Sequence, residues 1–398
     1  MVFFGESLIR KPFSHQDTKA AKFSFVYFVP LWERYFKISH QATKHTKAFS
    51  KLISFCVLCA LCGKGFYSYL TISKLPAMKR CLLIVTLCFI SIKCFCWGFY
   101  AHKKINYYAV FLLPPEMMVL YKPNIDFLGE HAIDPDKRRY AVPEEGPRHY
   151  IDIDHYGTYP YPNLPRKWKD AVEKFGEDSL NAYGIVPWHL QTMLYRLTDA
   201  FKEKNFSKIM KNSAEIGHYI ADSHVPLHAN SNHNGQYTNQ KGIHGFWESR
   251  VPELFAETKF DFFIGKAQYI KKPAEYIWAR VLESALASDS VLRFEKELTK
   301  EFPADQKYSF ENRNAVVIRQ YSYAFTEAFD KKLNGMVERR MRLSIASVAS
   351  FWYTAWVNAG QPDLKSLVNQ KFSEEELKEF EKLNSSWQSS GKMIGREE

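Results

Sequence analysis

The sequence predicts an all-α protein: a single multi-helix domain with a long proline-rich active-site loop. Three observations carry that prediction. Apolar residues recur at helical spacing through most of residues 97–398, proline and glycine interrupt those stretches where helices should stop, and little of the chain reads as strand. The first helix lies in "HKKINYYAVFLLPP", where Ile105, Ala109 and Leu112 share a face and Pro114 with Pro115 halts it. Residues 129–166 are different, with six prolines set among Gly, Asp and Tyr. So long a connection inside a compact domain reads as a functional loop, and its aromatic content argues for order.

Helical periodicity returns over 187–204 and 206–223, ending at Pro226. It continues over 245–256, much of 273–300, and 310–333. In 337–357, Met341, Ile345, Val348, Trp352 and Trp356 repeat at steps of three or four until Gly360 and Pro362. These stripes read as core. Ser373 with Glu376 forms a predicted capping box, with Phe372 and Leu377 as its staple. Residues 371–398 therefore read as a short amphipathic helix followed by a solvated tail, and 97–370 as the main domain.

The formal net charge is +11, but the surplus is confined to residues 1–96, which hold 14 Lys/Arg against 3 Asp/Glu. Residues 97–398 hold 40 of each, so the high pI gives no support to nucleic-acid binding. All seven cysteines also precede Trp97, which excludes a disulfide framework beyond it. Within residues 78–96, Lys79 and Arg80 precede an apolar run over 81–92, and Cys94 and Cys96 stand at −3 and −1 before Trp97. That is the layout of a signal peptide, and the run is too short to span a bilayer permanently. The expectation is translation from Met78, with residues 1–77 an upstream segment outside the mature protein. Cleavage before Trp97 would then give a secreted or periplasmic chain.

The chemistry concentrates in "HYIADSHVPLH", residues 218–228. His218 and Asp222 stand four apart on one helical face, and His228 follows Pro226 where the chain can turn back. His244 and Glu248 repeat the four-residue step. Imidazole and carboxylate without thiolate is the donor mix of catalytic zinc. The proline-rich loop supplies His149 and either Asp134 or Asp136. His224 reads as a supporting or exposed residue, His155 and His233 as cleft-lining candidates, and His131 and His189 have no role.

This constellation resembles the superfamily joining bacterial zinc-dependent phospholipases C with fungal single-strand-specific zinc nucleases. Members of that superfamily begin, after signal cleavage, with a zinc-binding tryptophan and a histidine soon after. Trp97 and His102 match that opening here. The resemblance implies three zinc ions. Asp134, His149, His218 and Asp222 would hold the first. The Trp97 amine and carbonyl, His102 and a bridging Asp222 would hold the second, and His228, His244 and Glu248 the third. It covers most of residues 97–256. Glu248 and the missing disulfides match the phospholipases, whereas the step from Trp97 to His102 and "TNQKGIHGFWESRVPE" look nuclease-like.

The resemblance thus implies a zinc-dependent phosphodiester hydrolase that activates water, with Asp134 and Asp222 as its catalytic carboxylates. A phospholipase C reading, with peripheral membrane contact and no permanent transmembrane helix in the mature chain, stands ahead of a nuclease giving 5′-phosphates. A non-enzymatic zinc-stabilised envelope protein is a third reading, which closed coordination shells would favour. No protein partner is implied.

Overall fold

A computed structural model describes residues 99–313, 316–390, 393, 394 and 396. Trp97 and the expected signal segment lie outside the described residues. The chain from residue 99 is helical, with one small two-stranded sheet. Among the described residues, no helix is long and apolar enough to cross a membrane.

The first helix, α1 (Phe99–Ala109), passes through a short 3-10 turn and stops before Pro114. Three short helices follow: α2 (Pro115–Tyr121), α3 (Ile125–Glu130) and α4 (Asp134–Arg138). The proline-rich stretch is ordered as consecutive turns, including 3-10 segments at Pro143–Arg148 and Ile153–Tyr156. Two more short helices, α5 (Trp168–Phe175) and α6 (Glu177–Tyr183), lead into a long pair, α7 (Val186–Lys202) and α8 (Phe206–His224). Asn205 caps α8 by accepting from the Lys208 amide at 3.0 Å, a contact worth about 1 kcal/mol.

The expected helix over 245–256 divides into α9 (Ile243–Gly245), a π-turn at Phe246–Arg250 and α10 (Val251–Phe255). Beyond it run α11 (Pro273–Glu301), β1 (Tyr308–Arg313), β2 (Val316–Tyr321), α12 (Tyr323–Lys332), α13 (Met336–Asn358) and α14 (Glu374–Ser389). The hairpin corrects the helical expectation for 310–333, which holds only from Tyr323. Val316, Val317 and Ile318 form a β-branched run suited to a pleated strand, and Tyr308 pairs with Tyr321 across the antiparallel register.

The core lies between α1, α7, α8 and α13. Trp352 is fully buried and donates to the Ser213 carbonyl at 3.0 Å, tying α13 to α8. Phe201, Phe255 and Phe351 are also buried, each contributing roughly 1.5–3 kcal/mol relative to exposure. One contact decides how closely α1 approaches α8. A Cβ on Gly217 would lie 2.0 Å from Asn106 Oδ1, while Asn106 Nδ2 donates to the carbonyls of Leu128 (3.0 Å) and Ala214 (2.9 Å). Gly217 precedes His218, and Asn106 stands one turn beyond His102, so this close approach sets two histidines face to face.

The capping box at Ser373 and Glu376 is present. The expected staple gives way to a different contact: Phe372 stacks on Phe127 at 4.4 Å, and Leu377 stays half exposed. The tail also departs from expectation. Met393 is buried, and the Arg396 side chain is only 6% exposed because it finds a carboxylate partner in Asp152.

Candidate metal centre

Three groups of buried nitrogen and oxygen donors adjoin one another. The first contains Asp136, His149 and His218, the second His102, His218 and Asp222, and the third His228, His244 and Glu248. Helix α8 is the spine of the arrangement, since His218 and Asp222 leave the same face toward α1 and the ordered loop. Asp222 Oδ2 lies 3.1 Å from His149 Nδ1 and 3.2 Å from His218 Nε2, while its Oδ1 lies 3.3 Å from His102 Nε2. One carboxylate therefore offers an oxygen to each of two groups. His228 Nε2, 4.0 Å from Asp222 Oδ1, connects the third group to the other two. The rings of His102 and His218 stack with centroids 3.9 Å apart.

The third group is built on the π-turn. His244 Nε2 stands 2.9 Å and His228 Nε2 3.4 Å from Glu248 Oε2. A π-turn widens the helix locally and is often found at functional sites.

Between Asp134 and Asp136, the structure turns Asp136 toward the centre. Its Oδ1 lies 3.7 Å from His218 Nε2 and 3.8 Å from His149 Nδ1. Asp134 faces away, held by His131 Nδ1 at 2.6 Å and by Lys137 Nζ at 2.8 Å. The two residues lie two apart in the first turns of α4, so their side chains leave different faces and only one can look inward. Asp136, and not the Asp134 to which the resemblance points, therefore lies among these donors.

The remaining imidazole nitrogens are fixed by acceptors. His218 Nδ1 donates to the Ala132 carbonyl at 2.8 Å, His228 Nδ1 to the His149 carbonyl at 2.7 Å, and His244 Nδ1 to the His233 carbonyl at 3.1 Å. A carbonyl can only accept, so each of these nitrogens carries the ring proton and Nε2 presents its lone pair to the centre. His149 is oriented by Glu145, whose Oε1 lies 3.5 Å from Nε2. Glu145 is buried and is held in turn by Arg138 (3.1 Å), Arg148 (2.8 Å) and the Tyr219 hydroxyl. Sequence reasoning missed this residue; its only signal is the four-residue step to His149.

Electrostatics favour a cation. Burial pushes Asp136 up to about 6. For Asp222, burial acts in the same direction but is outweighed by His218 and His228, leaving it well below the carboxylate range. His149, despite burial, is raised to about 9 by Asp222 and Glu145, whose carboxylates favour positive charge at this place. Burial lowers His102 and His218. Asp136 Oδ2 is buried without a hydrogen-bond partner among the described residues. Acceptor-only oxygens in such a place carry a desolvation cost that a bound cation relieves. The donor set fits zinc.

Three other histidines have partners of their own. His224 is buried, with Nδ1 on the Ile220 carbonyl (2.8 Å) and Nε2 by Ser347 Oγ (3.1 Å). His155 stacks on Tyr183 at 3.4 Å, and His233 supplies the carbonyl that orients His244.

An all-α body encloses adjoining His/carboxylate groups that can hold metal. The family model for zinc dependent phospholipase C matches residues 101–311, more than half of the chain, and the protein belongs to that family. No curated protein matches it. Its coarse class is accordingly a zinc-dependent phosphoesterase, with His/Asp clusters that can hold metal.

Proposed function

We propose that the protein is a phospholipase C-like phosphodiester hydrolase with three zinc positions. It would split a glycerophospholipid into diacylglycerol and a phosphorylated head group. The observation that carries this reading is the division of the Asp222 carboxylate, one oxygen toward His149 and His218 and the other toward His102.

Asp136, His149, His218 and Asp222 would hold one ion. His102 and Asp222 would hold a second together with the freed Trp97 end group, and His228, His244 and Glu248 the third. Bound zinc supplies charge neutralisation for the phosphodiester and lowers the pKa of water toward roughly 7. The chain's own residues do the rest. Asp222 would serve two of these positions, and Asp136 Oδ2, buried without a hydrogen-bond partner among the described residues, would accept the proton of the attacking water. Arg138 and Arg148 keep Glu145 ionised, and Glu145 in turn keeps His149 oriented. We also place the mature protein outside the cytoplasm. Lys79, Arg80, the apolar run over 81–92 and small residues before Trp97 support that location, and a free amine at Trp97 requires it.

Phosphatidylcholine vesicles and single-stranded DNA should be assayed in parallel, with and without chelator. Chelator-sensitive release of a phosphorylated head group is expected. Cleavage of DNA alone would replace the lipid reading with the nuclease one, and hydrolysis of neither would overturn both. N-terminal sequencing of purified protein should begin at Trp97.

A further inference from the structure

The strongest unassigned feature joins Ile394 and Arg396 to the metal-ligand scaffold. The Arg396 guanidinium lies 4.1 Å over the Tyr150 ring, with Nη2 donating to the Leu227 carbonyl at 2.9 Å and Nη1 paired with Asp152 Oδ1 at 2.5 Å. Its own carbonyl accepts from Arg139 Nη2 at 2.6 Å, and the Ile394 amide donates to the Arg139 carbonyl at 2.9 Å.

Each of these partners adjoins a ligand candidate. Tyr150 follows His149, Leu227 precedes His228, and Arg139 stands three residues after Asp136. The first two segments are already laced together, since Ile151 N donates to the His228 carbonyl at 2.9 Å and His228 Nδ1 to the His149 carbonyl. Arg396 closes that lacing from outside. A planar guanidinium suits the task, because its fork can serve a carbonyl and a carboxylate at fixed angles while its face covers an aromatic ring.

We infer that Arg396 is a positioning residue, holding the loop that carries His149 and the turn that carries His228 in the register both metal groups require. The inference rests on the zinc reading above. It adds that a side chain outside the family match, far along the sequence, determines how well the centre is assembled.

Zinc affinity should be measured by competition with a chromogenic chelator on the purified protein beginning at Trp97, for wild type, Arg396→Gln and Arg396→Lys, with helix content followed by circular dichroism. Arg396→Gln should bind zinc about 10–100-fold more weakly at unchanged helix content, the size expected when a group that orients ligands is lost. Arg396→Lys, which can keep the Asp152 pair but not the fork, should fall between. Because removing one partner strands the Asp152 carboxylate, the double variant Arg396→Gln/Asp152→Asn separates the two effects, and it should still bind weakly. Wild-type affinity in Arg396→Gln, or recovery of full affinity in the double variant, would overturn the inference. A wild-type protein that takes up no zinc would instead defeat the reading beneath it.

Discussion

His228 and His149 belong to different donor groups, yet the segments that carry them are tied by two bonds: His228 Nδ1 donates to the His149 carbonyl at 2.7 Å, and the His228 carbonyl accepts from Ile151 N at 2.9 Å. The imidazole of one group is therefore also a backbone clamp for the other. His228→Ala should lose more than one equivalent of zinc. His228→Asn, whose amide nitrogen can replace Nδ1, should lose only the third. Elemental analysis of the two purified variants makes the comparison, and equal zinc contents would refute the coupling.

Asp136 and Asp134 should separate cleanly. Asp136→Asn removes an inward oxygen and should weaken zinc binding by about 100-fold or more, beyond the loss expected from groups that merely orient ligands. Asp134→Asn breaks the contacts to His131 and Lys137 instead. It should leave zinc content intact while costing about 1–3 kcal/mol of stability. Isothermal zinc titration with denaturant unfolding reads both quantities.

Stripping the metal should lower the melting temperature. Zinc that binds only the folded chain adds RT ln(1 + [L]/Kd), about 2.7 kcal/mol at a hundredfold excess over Kd. Thermal melts with chelator, then with zinc restored, should show a reversible fall and recovery. No shift would mean that the buried carboxylates need no cation.

The close approach of α1 and α8 makes Gly217→Ala a severe change for one methyl group. A Cβ there would meet the Asn106 side chain at 2.0 Å. The variant should lose roughly 1–3 kcal/mol and bind zinc more weakly, because His102 and His218 move apart. An unaltered unfolding midpoint would show that the helices can part without cost.

Acid stability should depend on His189, buried against Tyr219. Burial, reinforced by Arg148, lowers it from 6.5 to about 3, so the unfolded chain binds its proton more readily. Its contribution is fully present above pH 6.5 and is lost as pH falls toward 3, at up to about 1.4 kcal/mol per pH unit. His189→Gln should flatten that part of the stability profile. Identical slopes for variant and wild type would refute the assignment.

Much of the fold was legible in the chain because helix periodicity and proline punctuation are local signals. The stripe from Met341 to Trp356 reads directly as α13, and Ser373 with Glu376 reads as a cap. The hairpin at 308–321 escaped notice because its stability comes from pairing across strands, with Tyr308 opposite Tyr321. Glu145 and Arg396 escaped for a related reason. Neither has a distinctive motif, and each matters only through residues that folding brings to it.

By itself the sequence determined the helical architecture, the nitrogen-and-oxygen character of the donors and the four-residue steps that place His218 with Asp222 and His244 with Glu248, since all of these follow from composition and helix geometry. Only the tertiary structure decided that Asp136 rather than Asp134 faces the centre, that Asp222 reaches two donor groups, and that Ile394 and Arg396 pack against its scaffold. Those outcomes depend on which faces meet once the core has closed, and that is a property of packing between distant segments rather than of any one of them.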